Sequence, residues 1–250
     1  MQPVNLKDRG FVEALSKISA DLYVVVAFRI LPEAVFSYPS LGTINLHPSL
    51  LPKYRGAAPI HWTIINGEKE TGNTIIKISK EIDAGEIILQ DKTAILADET
   101  AGELHDRLAN SGADLLLAAL DALQSGHYEL KPQNQQLSSP APKLTKDHSH
   151  ISFDQPVTAV KNWIHGLSPF PTGFAYYQNE RINFFRAKIA DSRLVEEAPG
   201  TILKSEPEKL QIACAPGIIE ILELQKEGKK RLITLEFLRG CKLETGIRFV

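Results

Sequence analysis

Cysteine and long apolar runs are scarce in this chain, and each scarcity excludes a class of protein. Cys214 and Cys241 are the 2 cysteines of 250 residues, too few and too far apart for a metal-ligand pattern. A chain that relies so little on cysteine is at home in a reducing cytoplasm. The longest apolar runs, near Leu22 to Phe28 and Leu115 to Leu120, fall far short of a bilayer span. The opening Met1-Gln-Pro-Val-Asn-Leu-Lys-Asp has neither a basic-then-apolar signal pattern nor a transit-peptide bias. Excess charge is missing too. A net charge of -2 exerts no global pull towards nucleic acid, so any RNA contact must come from a local patch. What is present is a 43% hydrophobic content, which supports a core, and a length that suits one large domain or two modest ones.

In chain order, Phe11, Leu15 and Ile18 recur at helical spacing, predicting an amphipathic helix over about 10–19. Leu22 to Phe28 is β-branched and apolar on both faces, the pattern of a central parallel strand covered on both sides. A short helix over Glu33 to Phe36 leads to a strand at Thr43 to Leu46, and strand–helix–strand in this order indicates an open α/β sheet. Ligands in such sheets sit beyond the carboxyl ends of the strands, which is where Asn45 and His47 fall. Ile60, Ile64 and Ile65 give a helix stopped by Asn66-Gly67, with His61 on it as a surface or packing residue. Strands at Thr74 to Ser79 and Glu86 to Gln90 flank Glu81-Ile-Asp83-Ala-Gly85 as a hairpin. Thr100-x-x-Glu103 is a capping box opening a long helix to about Gln124, closed by Ser125-Gly126.

Residues 127–150 are polar, rich in Pro, Gln, Ser and Lys, and read as a linker. His148 and His150 there lack further ligands at metal-binding spacing. Beyond them, a helix at Val157 to His165 precedes short strands at Phe174 to Tyr177, Ile182 to Ala187, Thr201 to Leu203, Leu210 to Ala213, Ile218 to Leu224 and Leu232 to Phe237. Short strands this close together suggest a small barrel. The domain division is therefore 1–126, a linker over 127–150, and 151–250. Lys226, Lys229, Lys230 and Arg231 form the clearest basic cluster, a phosphate contact or a solvated turn.

The stretch with chemistry runs from Asn45 to Asp83. Strand periodicity puts Asn45 and His47 on one face, so both can reach one point in space. A Pro- and Gly-punctuated loop follows, and the carboxylate of Asp83 arrives at the hairpin tip. Amide, imidazole and carboxylate together suit acyl-type transfer to an amine. The amide donates to an oxygen that becomes negative, and the imidazole handles a proton with its pKa tuned by the carboxylate. No nucleophilic Ser or Cys is required. Residue types alone leave an ordinary turn as the alternative.

Asn45-x-His47-x-Ser49-Leu-Leu-Pro52, Gly72-Asn-Thr-Ile and Ile82-Asp83-x-Gly85 resemble the signature of the 10-formyltetrahydrofolate-dependent formyltransferases. Within that family, Arg55-Gly56-Ala57-Ala58-Pro59-Ile60 most resembles the branch acting on methionyl initiator tRNA. The resemblance implies an incomplete open, mostly parallel Rossmann-like α/β sheet (the formyltransferase fold) over 1–126, followed by a small OB-like β-barrel that binds tRNA. Pro199 to Ile202 and Phe237-Leu238-x-Gly240 have counterparts in that barrel. It further implies transfer of a formyl group from 10-formyltetrahydrofolate, as co-substrate, to the α-amine of methionine on initiator tRNA. Asn45, His47 and Asp83 would be catalytic, with no metal. Ser49, Leu50, Leu51 and Pro52 would line the folate site, and Arg55, Gly56, Lys229, Lys230 and Arg231 would contact the tRNA substrate. Members of the family carry about one more βαβ segment before the position of Met1, with a basic loop for the tRNA acceptor end. Without it the edge of the Leu22 to Phe28 strand would be open to pairing. Many members also have a Tyr-Gly pair and one extra residue where this chain has Ala27 to Pro32. A sugar-nucleotide formyltransferase and a non-catalytic RNA- or folate-binding remnant are the alternatives. Neither DNA nor a membrane is expected as a partner.

Overall fold

A computed structural model describes residues 3–27 and 29–250. By contact density the chain falls into two compact units, one of residues 3–59, Glu70–Ala94 and Arg107–Pro142, the other of Ile60–Lys69, Ile95–Asp106 and Lys143–Val250.

The first unit opens with helix α1 (Arg9–Ser16), whose first turn is capped by the Asp8 carboxylate accepting from Phe11 N. Strand β1 (Tyr23–Val26), helix α2 (Glu33–Phe36) and strand β2 (Thr43–His47) follow. Helix α3 (Pro59–Ile65), counted with the second unit from Ile60 on, leads to β3 (Glu70–Thr71), β4 (Thr74–Lys77), β5 (Ile87–Gln90) and β6 (Thr93–Ala94), and then to the long helix α4 (Ala101–Ser125), which belongs to the first unit from Arg107 on. The main sheet has the order β1-β2-β4-β5. Ile44 and Leu46 of β2, Ile75 of β4 and Ile88 of β5 meet Leu115, Ala119 and Leu123 of α4 in one apolar cluster. The other face of β2, which carries Asn45 and His47, therefore points away from that cluster. The start of α4 is tied as its sequence predicts, with Thr100 N donating to Glu103 Oε2 (2.9 Å) and Glu103 N to Thr100 Oγ1 (3.4 Å).

Two expectations change in this unit. Only β1 and β2 pair parallel, whereas β2–β4 and β4–β5 are antiparallel, so the described sheet is mixed rather than mostly parallel. Between β4 and β5 the chain turns back through the tight 78–86 hairpin, which leaves no room for the crossover that a parallel pair needs. The run Leu22 to Phe28 is strand only over Tyr23–Val26, and Phe28 lies outside the described residues. In the described sheet it lies at the edge, as the open-edge expectation has it, with Val24 43% and Val26 52% exposed. An all-apolar run records no preference for centre or edge, because neighbours decide that.

Residues 127–142, read from composition as linker, are fastened to the first unit. Lys131 pairs with Ile87 and Pro140 with Arg55, and Ala141 is fully buried. Polar side chains here, such as Gln133 and Gln135, bond to Arg55 and to hairpin carbonyls, so the stretch carries no hydrophobic period.

In the second unit, helix α5 (Val157–Gly166) precedes β7 (Gly173–Tyr177), β8 (Glu180–Asp191), β9 (Ile202–Glu206), β10 (Lys209–Cys214), β11 (Gly217–Lys226), β12 (Leu232–Ile233) and helix α6 (Thr234–Gly240). The strands form an antiparallel sheet of order β7-β8-β11-β10-β9, with β12 on β11. The last residues hydrogen-bond to both ends of that order: Val250 exchanges bonds with Tyr176 of β7, and Ile247 O accepts from Ile202 N of β9. Val160 and Ile164 of α5 pack with Ile182, Phe184, Ile212 and Ile221 in its core. The expected strand Leu232 to Phe237 stops at Ile233 and turns into α6. There Thr234 Oγ1 donates to Ile221 O (2.5 Å) and Phe237 reaches the core one turn later, a pattern that a short apolar run cannot distinguish from strand. Burial pushes the Cys214 thiol up to about 12, so it remains a protonated apolar group. No described helix is long and apolar enough to cross a membrane.

Candidate active site

The site is built at the carboxyl end of β2. His47 is only 4% exposed, and its Nε2 lies 2.8 Å from the Tyr54 carbonyl. A carbonyl only accepts, so Nε2 carries the proton and Nδ1 is the free ring nitrogen. Nδ1 faces Asp83 Oδ2 at 3.5 Å. The same oxygen accepts from Gly56 N at 2.9 Å, and this backbone donor fixes the carboxylate beside the imidazole. Asp83 has a φ of +51°, a left-handed conformation unusual outside glycine but more accessible to Asp than to most residues. Burial holds the His47 pKa below its ordinary value, against the opposing pull of the Asp83 carboxylate and the Tyr54 carbonyl. The positive charge of Arg55 adds to the lowering. The ring is therefore neutral at pH 7, with a lone pair on Nδ1 beside an anion.

Asn45 sits two positions earlier on the same strand, opposite Ile76 of β4 as His47 is opposite Thr74. The structure thus brings Asn45, His47 and Asp83 to one end of one sheet face. Behind them Thr74 knits the loop that follows β2: its Oγ1 donates to Ser49 O (2.6 Å) and accepts from Leu51 N (3.3 Å) and Gln90 Nε2 (2.7 Å). Ser49 and Leu51 are buried and hold this loop, the Ser49 hydroxyl donating to Lys53 O, while Leu50 and Pro52 keep part of their surface.

The five residues expected to contact tRNA separate into three groups. Arg55 and Gly56 belong to the site itself. The Arg55 guanidinium donates to Gln133 Oε1 and Gln135 Oε1, and Gly56, at φ +123°, lies so near Ala141 that an added Cβ would stand 2.6 Å from its carbonyl oxygen. Arg231 pairs with Glu223 and lies over the Phe185 ring. Lys229 and Lys230 are exposed, and among the described residues no carboxylate pairs with them. Sequence reasoning missed Gln133 and the Tyr54 carbonyl. Both act through tertiary hydrogen bonds, and a glutamine in a polar stretch sends no signal of burial.

Fold and site together define the class. The chain belongs to the formyl transferase family: residues 1–120 match the formyl transferase profile and residues 143–242 that of the formyl transferase C-terminal domain. Its relatives include the methionyl-tRNA formyltransferase of Syntrophus aciditrophicus, 44% identical over 247 residues, which are 98% of this chain and 79% of that protein. The methionyl-tRNA formyltransferase of Bacteroides fragilis is 42% identical over 251 residues, covering 97% of this chain and 78% of that one. Among solved structures, HypX from Aquifex aeolicus in complex with tetrahydrofolic acid matches with a TM-score of 0.69 at 19% identity, over 95% of this chain and 43% of that chain. The sugar 3N-formyl transferase WlaRD matches with a TM-score of 0.65 at 21% identity, over 84% and 73%. Those two likenesses are of fold.

Proposed function

We propose that this protein transfers a formyl group from 10-formyltetrahydrofolate to the α-amine of methionine on initiator tRNA. The observation that carries the reading is the buried His47–Asp83 pair, with Nε2 tied to Tyr54, on the strand face shared with Asn45. The identity with methionyl-tRNA formyltransferases, through nearly the whole chain, supports this acceptor over a sugar nucleotide. A binding remnant would have no use for an imidazole and a carboxylate kept in register.

The formylated folate supplies an activated formyl carbonyl and a leaving nitrogen. Leu50 and Pro52 would offer it apolar surface, on a loop that Ser49, Leu51, Thr74 and Gln90 hold in shape. As the methionyl amine forms its new C–N bond, the carbonyl electron pair moves onto oxygen and the Asn45 amide donates to it. The His47–Asp83 pair takes the proton that the amine loses, Nδ1 becoming N–H beside the carboxylate, directly or through one water. The imidazolium adds positive charge near the oxyanion. The pair then returns that proton to the departing nitrogen as the old C–N bond breaks and the carbonyl re-forms.

In this reading 1–126 is the catalytic domain, of the Rossmann-like formyltransferase type. Residues 127–150 join it to 151–250, where the antiparallel sheet and the 246–250 segment make a small OB-like barrel that binds tRNA. The test is formyl transfer by the purified protein from 10-formyltetrahydrofolate to charged initiator tRNA, in parallel with an amino-sugar nucleotide. Formylation of the tRNA alone is expected. Transfer to the sugar, or to neither acceptor, overturns the reading.

Of the basic cluster, Lys229 and Lys230 remain to meet phosphate, since Glu223 already neutralises Arg231. Reversing both to Glu is expected to weaken tRNA binding at low salt and to flatten its dependence on log[salt] by up to about 2 in slope, about 0.9 for each phosphate no longer neutralised. An unchanged slope in a filter-binding salt titration makes the cluster a solvated turn.

A further inference from the structure

We propose that Gln133 is the positioning residue for Asp83, the clamp that holds the hairpin tip against His47. Gln133 lies in the stretch that composition assigns to a linker, yet it is only 8% exposed. Its amide is saturated. Oε1 accepts from Arg55 Nε (3.1 Å) and Nη2 (2.6 Å), and Nε2 donates to the carbonyls of Asp83 (2.8 Å) and Gly85 (2.7 Å). A glutamine amide has two donors and two acceptor lone pairs, and all four are used here. The orientation is also forced, because a flipped amide would set its donors against a guanidinium that can only donate.

These bonds close a ring. Arg55 grips Gln133, Gln133 grips the backbone on both sides of Ala84, and Gly56, the residue after Arg55, donates its N–H to the Asp83 carboxylate. Asp83 is thus held twice from one dipeptide, through its carbonyl by way of Gln133 and through its side chain directly. Such a double hold has a physical purpose at this position. The left-handed φ of Asp83 is costly for a residue with a side chain, and it persists only where the surroundings over-determine it. Without the Gln133 donors, two carbonyls lose their partners and the tip can relax, withdrawing the carboxylate from Nδ1. Gln135, which accepts from Arg55 Nη1 at 2.8 Å, steadies the guanidinium but does not touch the hairpin.

Two variants of the full chain separate this role from simple tethering. Gln133→Met keeps the length and removes every hydrogen bond. Gln133→Glu keeps the acceptor for Arg55, and with it the anchor to the first unit, but loses both donors to the hairpin. The direct readout is the titration of the His47 ring by NMR in the protein without substrates. The groups that face this ring are Asp83, the Tyr54 carbonyl and Arg55, and in Gln133→Met Arg55 still holds Gln135. Since the carboxylate raises the His47 pKa, Gln133→Met is expected to titrate lower than the parent, towards the value of Asp83→Asn, whereas Gln133→Glu adds a negative charge of its own and serves the kinetic arm. A kinetic arm rests on the formyl-transfer reading. There kcat should fall by about 10- to 100-fold, the cost of misplacing a reacting group by about 1 Å, with KM for tRNA within about twofold of the parent. A parent that transfers no formyl group sinks that reading and leaves the NMR arm to decide on Gln133. A His47 titration equal to the parent in Gln133→Met, or one indifferent even to Asp83→Asn, overturns the assignment. So does a variant that melts earlier but keeps its kcat, which would reduce Gln133 to a tether.

Discussion

Replacing Asp83 with asparagine is expected to leave the fold in place and to lower formyl-transfer turnover by at least about a hundredfold, the usual loss when an acid–base partner is removed. The amide is nearly isosteric with the carboxylate, and its oxygen can still accept from Gly56 N, so the hairpin keeps its hold on the loop. What disappears is the negative charge 3.5 Å from His47 Nδ1. The pH profile should change with a definite sign. Burial already sets the His47 pKa below its ordinary value, so the ring is a neutral base near pH 7, and activity falls as acid protonates it below that pKa. Asp83 opposes the lowering. In Asp83→Asn the acid limb of kcat/KM therefore moves to still lower pH, while the plateau drops. Turnover near that of the parent, or an acid limb displaced upward, would remove Asp83 from the mechanism.

The second large effect is steric. Gly85 lies two residues beyond Asp83, and a Cβ added there would stand 1.7 Å from the Lys77 carbonyl oxygen. That oxygen is backbone at the end of β4, so neither partner can move aside by a rotamer change. Gly85→Ala should cost about 3–5 kcal/mol, the range of severe local disruption. It should also abolish turnover, because the hairpin cannot open without carrying Asp83 away from His47. Gly240→Ala is the comparison, since beyond its chain neighbours and its own helix backbone no atom lies within 4 Å of its added Cβ, and a change there should stay within about 0.5 kcal/mol. Urea unfolding of the two variants decides the matter. Equal midpoints would mean that the hairpin adapts, and a Gly85→Ala protein with full turnover would mean that the tip position is not critical.

The sequence by itself determined the features that depend on near neighbours along the chain. The shared face of Asn45 and His47 follows from strand alternation, with Ile44 and Leu46 taking the core side. The start of α4 follows from the reciprocal bonds of Thr100 and Glu103, three residues apart. The tight turn after Ile65 follows from Asn66-Gly67, where Gly67 takes a φ of +70°. Each is settled within a few residues, so local periodicity and turn chemistry suffice.

Only the tertiary structure decided the rest. The apolar Leu22 to Phe28 run reads the same at the centre or the edge of a sheet, and pairing on one side alone leaves Val24 and Val26 exposed. Leu232 to Phe237 bends into a helix because Thr234 and Phe237 meet β11 and the core. Arg231 and Lys230 are adjacent and alike in sequence, but only Arg231 finds Glu223 across the strand. Gln133 belongs to a polar stretch by composition and to the Asp83 hairpin by two hydrogen bonds. In each case the deciding partner is distant along the chain. Burial and hydrogen bonding depend on which groups meet in space, and that meeting leaves no local pattern in the residues that make it.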